Sequence, residues 1–259
     1  FYITSDARYR HYVLLHSDRR DGRWNEPSAV GFAAHLSVYS VSMGPDGDTL
    51  YFTGRPRVGT VDPRPEHDVF RVTRKEGEWG KARNLGLPVN TEASESSVSV
   101  AADGSLYFAR KDSQGSSDIW VARAHGERLS SPVRIGSPVN TASEEARPCI
   151  DRDQRFLLFH SNREGSLGSM DLFISVRESN GTWAAPTSLG PGVNSTASDF
   201  GPSLSPDGRF LFFSSYRGLD PGQGQGLAYR ELLDLYRRPA NGYATLYWID
   251  AAGLIPTQP

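Results

Sequence analysis

The sequence predicts an all-β fold built from repeated four-stranded antiparallel meanders, and three observations predict it. One phrase recurs four times, a short strand, an Asp-centred turn and an aromatic strand: "SVSMGPDGDTLYFTGR", "SVSVAADGSLYFAR", "RPCIDRDQRFLLFHSNR" and "PSLSPDGRFLFFSSYR". The turns fall at Asp46, Asp103, Asp153 and Asp207, 57, 50 and 54 residues apart. Gly 26 and Pro 17 in 259 residues, with 11% aromatic, suit tight turns and pleated strands rather than helices. Tandem units of roughly this length are the mark of propeller blades, each a small sheet that stays partly bare until neighbours stack on it.

The elements follow in order within each unit. The Asp-Gly turn joins the first two strands, because its glycine takes the positive φ that a tight hairpin requires. After a polar loop, Asp68-Val69-Phe70, Asp118-Ile119-Trp120 and Asp171-Leu172-Phe173 open a third strand, rich in the β-branched and aromatic residues that strands favour. A turn then leads to an outermost strand expected to start at Trp79 and Trp183, with Pro132 and Pro186 placed where an edge tolerates a missing N–H. Triplets at Val89-Asn90-Thr91, Val139-Asn140-Thr141 and Val193-Asn194-Ser195 carry the chain into the next unit.

These repeats predict one propeller domain over 1–259, with blades at about 1–36 (partial), 37–92, 93–142, 143–197 and 198–259. The count is five, with six as the alternative. "FYITSD" at the start aligns with a second strand, and "LYWID" near the end is a third strand followed by no convincing fourth. Upstream sequence is therefore expected to supply the missing strands, since propellers close by sharing a blade between both chain ends. The last unit carries an insert in which Tyr229, Leu232, Leu233 and Tyr236 share a helical face. It predicts a short helix, stopped by Pro239, that lies as a lid on the ring behind a Gly-rich lead.

Composition excludes several functions. A net charge of −2, from Lys+Arg 28 against Asp+Glu 30, argues against nucleic acid and against an anionic membrane. No run of 18 or more apolar residues occurs, so no membrane insertion is expected. The lone Cys149 cannot form an internal bridge and is expected as a small buried thiol. Neither a His-Glu-x-x-His motif nor paired Cys/His spacing occurs among the six histidines, and acids spread around a ring do not converge, so neither metal nor cofactor is expected. Gly-x-Ser-x-Gly is absent too, which excludes the serine-hydrolase elbow.

The phrase at 205–218, "SPDGRFLFFSSYRG", together with "DLF", "DIW" and the "LG..VNT" connector, resembles the WD-like, TolB-type Pro-Asp repeat of bacterial β-propeller proteins over essentially the whole chain. The stretch "RRPANGYATLYWIDA" is similar to the close of a bacterial exported propeller group. Two positions depart from the pattern: Ala102 stands where Pro is usual, and Thr245 where an acid opens the third strand. The resemblance implies a periplasmic or secreted protein, and relatives that serve as protein-binding modules, as domains attached to peptidases, or as sugar-active enzymes.

Function is sought where the copies differ, on the face bearing the loops. Those loops hold Arg55, Arg57 and His67, then Arg110 and Lys111, Arg163 and Glu164, and Tyr216 and Arg217. Glu95, Glu145, Arg147 and Asp199 precede or open the inner strands, and His160 ends a second strand. Glu95, Glu145, Arg147, Asp199, Arg110, Arg163, Arg217 and His160 are the candidate ligand-binding residues, although the recurring arginines also suit hydrogen bonds that tie down loops. Two readings follow. The first is a monomeric, non-catalytic platform recognising a protein or glycan ligand; the second is a carbohydrate-active hydrolase or lyase that uses acidic and basic residues at the central channel mouth, two carboxylates or a histidine with a carboxylate.

Overall fold

The computed structural model describes residues 1–5, 11–57, 66–126, 128–218, 230 and 244–256. The fold is an all-β, five-bladed β-propeller of small antiparallel sheets, the count expected from the repeats. The helix and lid expected within 218–239 fall on the segment 219–243, which lies outside the described residues apart from Arg230. The chain divides into two compact units, Phe1–Gly136 with Ile150–Gln154, and Ser137–Cys149 with Arg155–Pro259.

The first unit contains blades 1 to 3. Blade 1 runs Tyr2–Ser5, Tyr12–His16, Ser28–Ala29, the counterparts of second, third and outer strands elsewhere. Blade 2 runs from inner to outer as Leu36–Met43, Thr49–Pro56, Asp68–Lys75, Arg83–Asn84. Blade 3 runs Glu95–Val100, Leu106–Lys111, Ser117–Ala122, Val133–Arg134. Side chains alternate across each strand. Leu50 and Phe52 therefore pack with Leu14, Leu36 and Val72 on one side, while Tyr51 joins Val69, Val98 and Phe108 on the other. A blade buried on both faces explains why its strands read as continuous apolar runs.

Inner strands of neighbouring blades share no ladder, so their N–H groups need other acceptors. The alternating serines supply them. Ser40 Oγ accepts from Val98 N, Ser42 Oγ from Val100 N, and Ser99 Oγ from Ile150 N, at 2.9, 3.2 and 3.1 Å.

The second unit holds the strands Phe156–Ser161, Asp171–Val176 and Thr187–Ser188 of blade 4, most of its inner strand Glu145–Ile150, and blade 5. Blade 5 runs Asp199–Leu204, Phe210–Ser215, Thr245–Asp250. Phe156, Leu158, Leu172, Ile174, Leu211 and Phe213 form its principal apolar layer. Every residue of Phe156–Ser161 is buried.

Turn chemistry matches the sequence. Gly47, Gly104 and Gly208 take φ of 70, 86 and 70°, and Gln154 reaches 58° in the copy that lacks glycine. Asp46 Oδ1 accepts the N–H groups of Asp48 and Thr49. Other positions differ. Trp79 belongs to a short hairpin against the end of the third strand, and Trp183 to an isolated bridge with Arg177. The outermost strands begin later, at Arg83, Val133 and Thr187, so each tryptophan precedes the edge strand instead of starting it, and Trp79 packs on the apolar layer of the first unit. Pro132 and Pro186 sit immediately before those strands. Cys149 is half-buried rather than buried, packed against the apolar layer of the second unit.

Candidate functional site

The repeated acids and arginines form one device, present three times. Each acid is the first residue of an inner strand, four positions after the hydroxyl residue of the Val-Asn-Thr/Ser triplet. Glu95 accepts from Thr91 N at 3.1 Å, Thr91 Oγ1 at 2.6 Å and Arg110 Nε at 2.8 Å. Glu145 accepts from Thr141 N and Oγ1, both at 2.8 Å, and from Ser161 Oγ and Arg163 at 3.0 Å. Asp199 accepts from Ser195 N and Oγ at 2.6 and 2.7 Å and from Arg217 at 2.7 Å. All three side chains are 0% exposed.

The arginines extend this device to the backbone. Arg110, Arg163 and Arg217 donate to the carbonyls of Val89, Val139 and Val193 in the connectors. Each guanidinium lies over the aromatic residue of its own third strand: Arg110 is 4.5 Å from the Trp120 ring, Arg163 5.2 Å from Phe173, and Arg217 4.9 Å from Tyr247. Burial pushes the Glu95 carboxyl up, and bonds from Thr91 and Arg110 pull it back. Burial likewise lowers Arg163, opposed by Glu145. These carboxylates are struts: every oxygen accepts a hydrogen bond from within the protein.

The connector asparagines complete the frame. Asn90 accepts from Val69 N and donates to Val69 O, at 2.8 and 2.9 Å; Asn194 does the same to Leu172 at 2.8 and 3.0 Å. Each side-chain amide imitates a strand neighbour. The acids that open the third strands vary in use. Asp171 accepts from Leu167 N and Gly168 N at the loop exit. Asp118 instead forms a forked pair with Arg134, and Asp68 accepts from Asn84 Nδ2.

Strand register identifies the positions beside the struts whose residue type varies from blade to blade. The residue that follows the strut acid is Ser96 in blade 3, Ala146 in blade 4 and Phe200 in blade 5; pairing of Val38 with Gly54 makes Tyr39 its counterpart in blade 2. The second strand presents Thr53, Ala109, His160 and Ser214 opposite Val69, Ile119, Leu172 and Leu246. In the first unit, Tyr39 lies 3.9 Å from the His67 ring and 4.4 Å from Tyr12, with Arg55 5.8 Å above it. In the second unit, Phe200 lies 5.5 Å from Tyr216 and 6.4 Å from His160, with Arg147 5.7 Å above it. Arg147 has φ of 50° on its inner strand, at the position where blades 3 and 5 place Ser97 and Gly201 at 57° and 65°, a bulge that re-aims the side chain.

His160 is 8% exposed, and neither ring nitrogen has a hydrogen-bond partner in the protein. Burial, reinforced by the positive charge of Arg147, pushes its pKa down to about 3. At neutral pH it is an uncharged ring with one donor and one acceptor.

The structure thus separates the eight candidates. Glu95, Glu145, Asp199, Arg110, Arg163 and Arg217 join into struts. Arg147 and His160 come together with Phe200 and Tyr216. Arg57 donates to Leu36 O, while Lys111 and Glu164 are exposed. The sequence reading passed over Phe200 and Tyr39; the signal lay in the position after the strut acid, where Ser, Ala, Phe and Tyr alternate. Among the described residues, no group of three or more His, Cys, Asp or Glu side chains is placed to hold a metal ion, and no helix is long and apolar enough to cross a membrane.

No protein-family model matches the chain, and no curated protein matches it. Solved structures share its fold. A TolB protein from Agrobacterium tumefaciens is 16% identical with a TM-score of 0.54, over 83% of this chain and 69% of that one. A thermostable family-43 glycoside hydrolase gives 16% and 0.52, over 80% and 76%. An α-L-arabinofuranosidase from Lactobacillus brevis gives 16% and 0.50, over 82% of each.

Proposed function

We propose that this chain is a non-catalytic binding platform of the bacterial cell envelope or exterior. It recognises a protein or glycan through aromatic and basic residues that vary from blade to blade. One observation carries the reading: the three repeated carboxylates, the natural candidates for acid–base chemistry, are wholly buried and bonded to arginine and to the connectors. What remains for recognition is aromatic and cationic, the residue types that concentrate binding energy at interfaces. The likeness in fold to a TolB protein supports this reading and an exported location.

A carbohydrate-active hydrolase or lyase is the second reading, favoured by two glycosidases among the similar structures. It requires a carboxylate pair, or a histidine with a carboxylate, free to reach a glycosidic bond. Incubation with arabinan, xylan and polygalacturonate, followed by both calorimetry and reducing-end release, separates the two. Binding with no release is expected. Reducing-end release by the purified protein would establish the second reading instead.

A further inference from the structure

The cluster around His160 carries a deeper inference, which rests on the binding-platform reading. We infer that His160, Arg147, Phe200 and Tyr216 form a site for a sugar acid, a ring bearing both a carboxylate and hydroxyl groups.

Blade construction does not call for a histidine at 160. The same register position holds Thr53, Ala109 and Ser214 in the other blades. Thr53 has a frame duty there, since its hydroxyl bonds Ser40 Oγ and accepts from Ser97 N. His160 makes no such bond, and both of its ring nitrogens are buried without a protein partner. Buried polar atoms are seldom left in that state, because each forfeits its hydrogen bonds to water. The Phe200 ring lies 6.4 Å from it, with an arginine on a left-handed bulge, Arg147, 5.7 Å above that ring and Tyr216 5.5 Å from it.

Each group selects part of the ligand. The guanidinium favours an anion and forms forked bonds to a carboxylate. The neutral imidazole offers one donor and one acceptor, and its acceptor nitrogen gains nothing from a carboxylate; a hydroxyl satisfies either nitrogen. The negative faces of Phe200 and Tyr216 suit the C–H face of a pyranose. A neutral sugar offers the guanidinium no charge-assisted bond, and a simple carboxylate offers nothing to the rings or to the imidazole acceptor. One molecule with both functions uses all four side chains.

The test is titration of the protein, labelled at its histidine rings, with D-glucuronate, D-glucose and acetate, read by calorimetry and by the His160 ring resonances. His160→Thr and Arg147→Ser install residues that blades 2 and 3 already carry at those positions, so both variants are expected to fold; circular dichroism and melting confirm it. The expected result is a shift of the His160 resonances with glucuronate, at least a ten-fold weaker affinity for glucose and for acetate, and at least a ten-fold loss in each folded variant. Unmoved His160 resonances at high glucuronate, undiminished affinity in either variant, or equal affinity for acetate overturns the site. The two readings fail separately: cleavage of a uronic-acid disaccharide refutes the non-catalytic platform, whereas absence of glucuronate binding refutes this site.

Discussion

Mild acid should weaken the fold through His160. Its folded pKa of about 3 lies well below the 6.5 of an ordinary histidine, so this group stabilises the native state fully above pH 6.5. Below that pH the unfolded chain binds a proton that the folded one refuses, and stability falls until the pH approaches 3. One pKa unit corresponds to about 1.4 kcal/mol. Between pH 7 and pH 5, the group therefore removes about 2 kcal/mol, which for a chain of this size lowers Tm by roughly 4–8 °C. Other groups titrate in the same range, and the raised Glu95 carboxyl acts in the opposite direction, but His160→Thr shares them all. Urea unfolding of both proteins at pH 7 and pH 5 isolates the histidine as a difference of differences. A parallel decline in the two proteins, or a His160 ring that titrates near 6.5 by NMR, refutes the reasoning.

Two further predictions concern the frame. A Cβ on Gly168 would stand 1.7 Å from the Ala197 carbonyl oxygen, so Gly168→Ala must displace backbone and should cost about 3 kcal/mol or more in chemical denaturation; an unchanged midpoint would show that this loop yields freely. Asn194→Ala removes both bonds to Leu172 at a buried site and strands a backbone donor and acceptor. A loss of about 2–3 kcal/mol is expected, with protection of the Leu172 amide in hydrogen exchange falling alongside; retained protection contradicts the clamp.

Much of the frame was legible in the sequence because it is periodic. Asp46, Asp103 and Asp207 declare their turns by local chemistry alone, and the runs of Phe156–Ser161 and Phe210–Ser215 announce strands covered on both faces. The outer strands were misplaced because Trp79 and Trp183 are large and β-prone, and sequence does not distinguish a tryptophan paired with the end of the third strand from one that begins an edge. The struts were half legible. The spacing of Thr91 to Glu95, repeated at Thr141 to Glu145 and Ser195 to Asp199, was visible, but the arginine lies 15 to 18 residues further on, and only the meander brings it back. The His160 cluster was least legible, because Phe200 reaches His160 across two blades and Arg147 is aimed by a bulge, a feature of φ rather than of composition.

The account's central claim is that the repeated carboxylates hold the fold and leave recognition to the residues that vary. Equilibrium unfolding of Glu145→Gln tests it most directly. A strut that loses its charge leaves Arg163 buried without its counter-ion, and the expected outcome is a loss of about 3–5 kcal/mol. An acid kept for chemistry behaves otherwise: its removal commonly leaves stability unchanged or raises it. A Glu145→Gln protein as stable as the wild type, or more so, would contradict the claim.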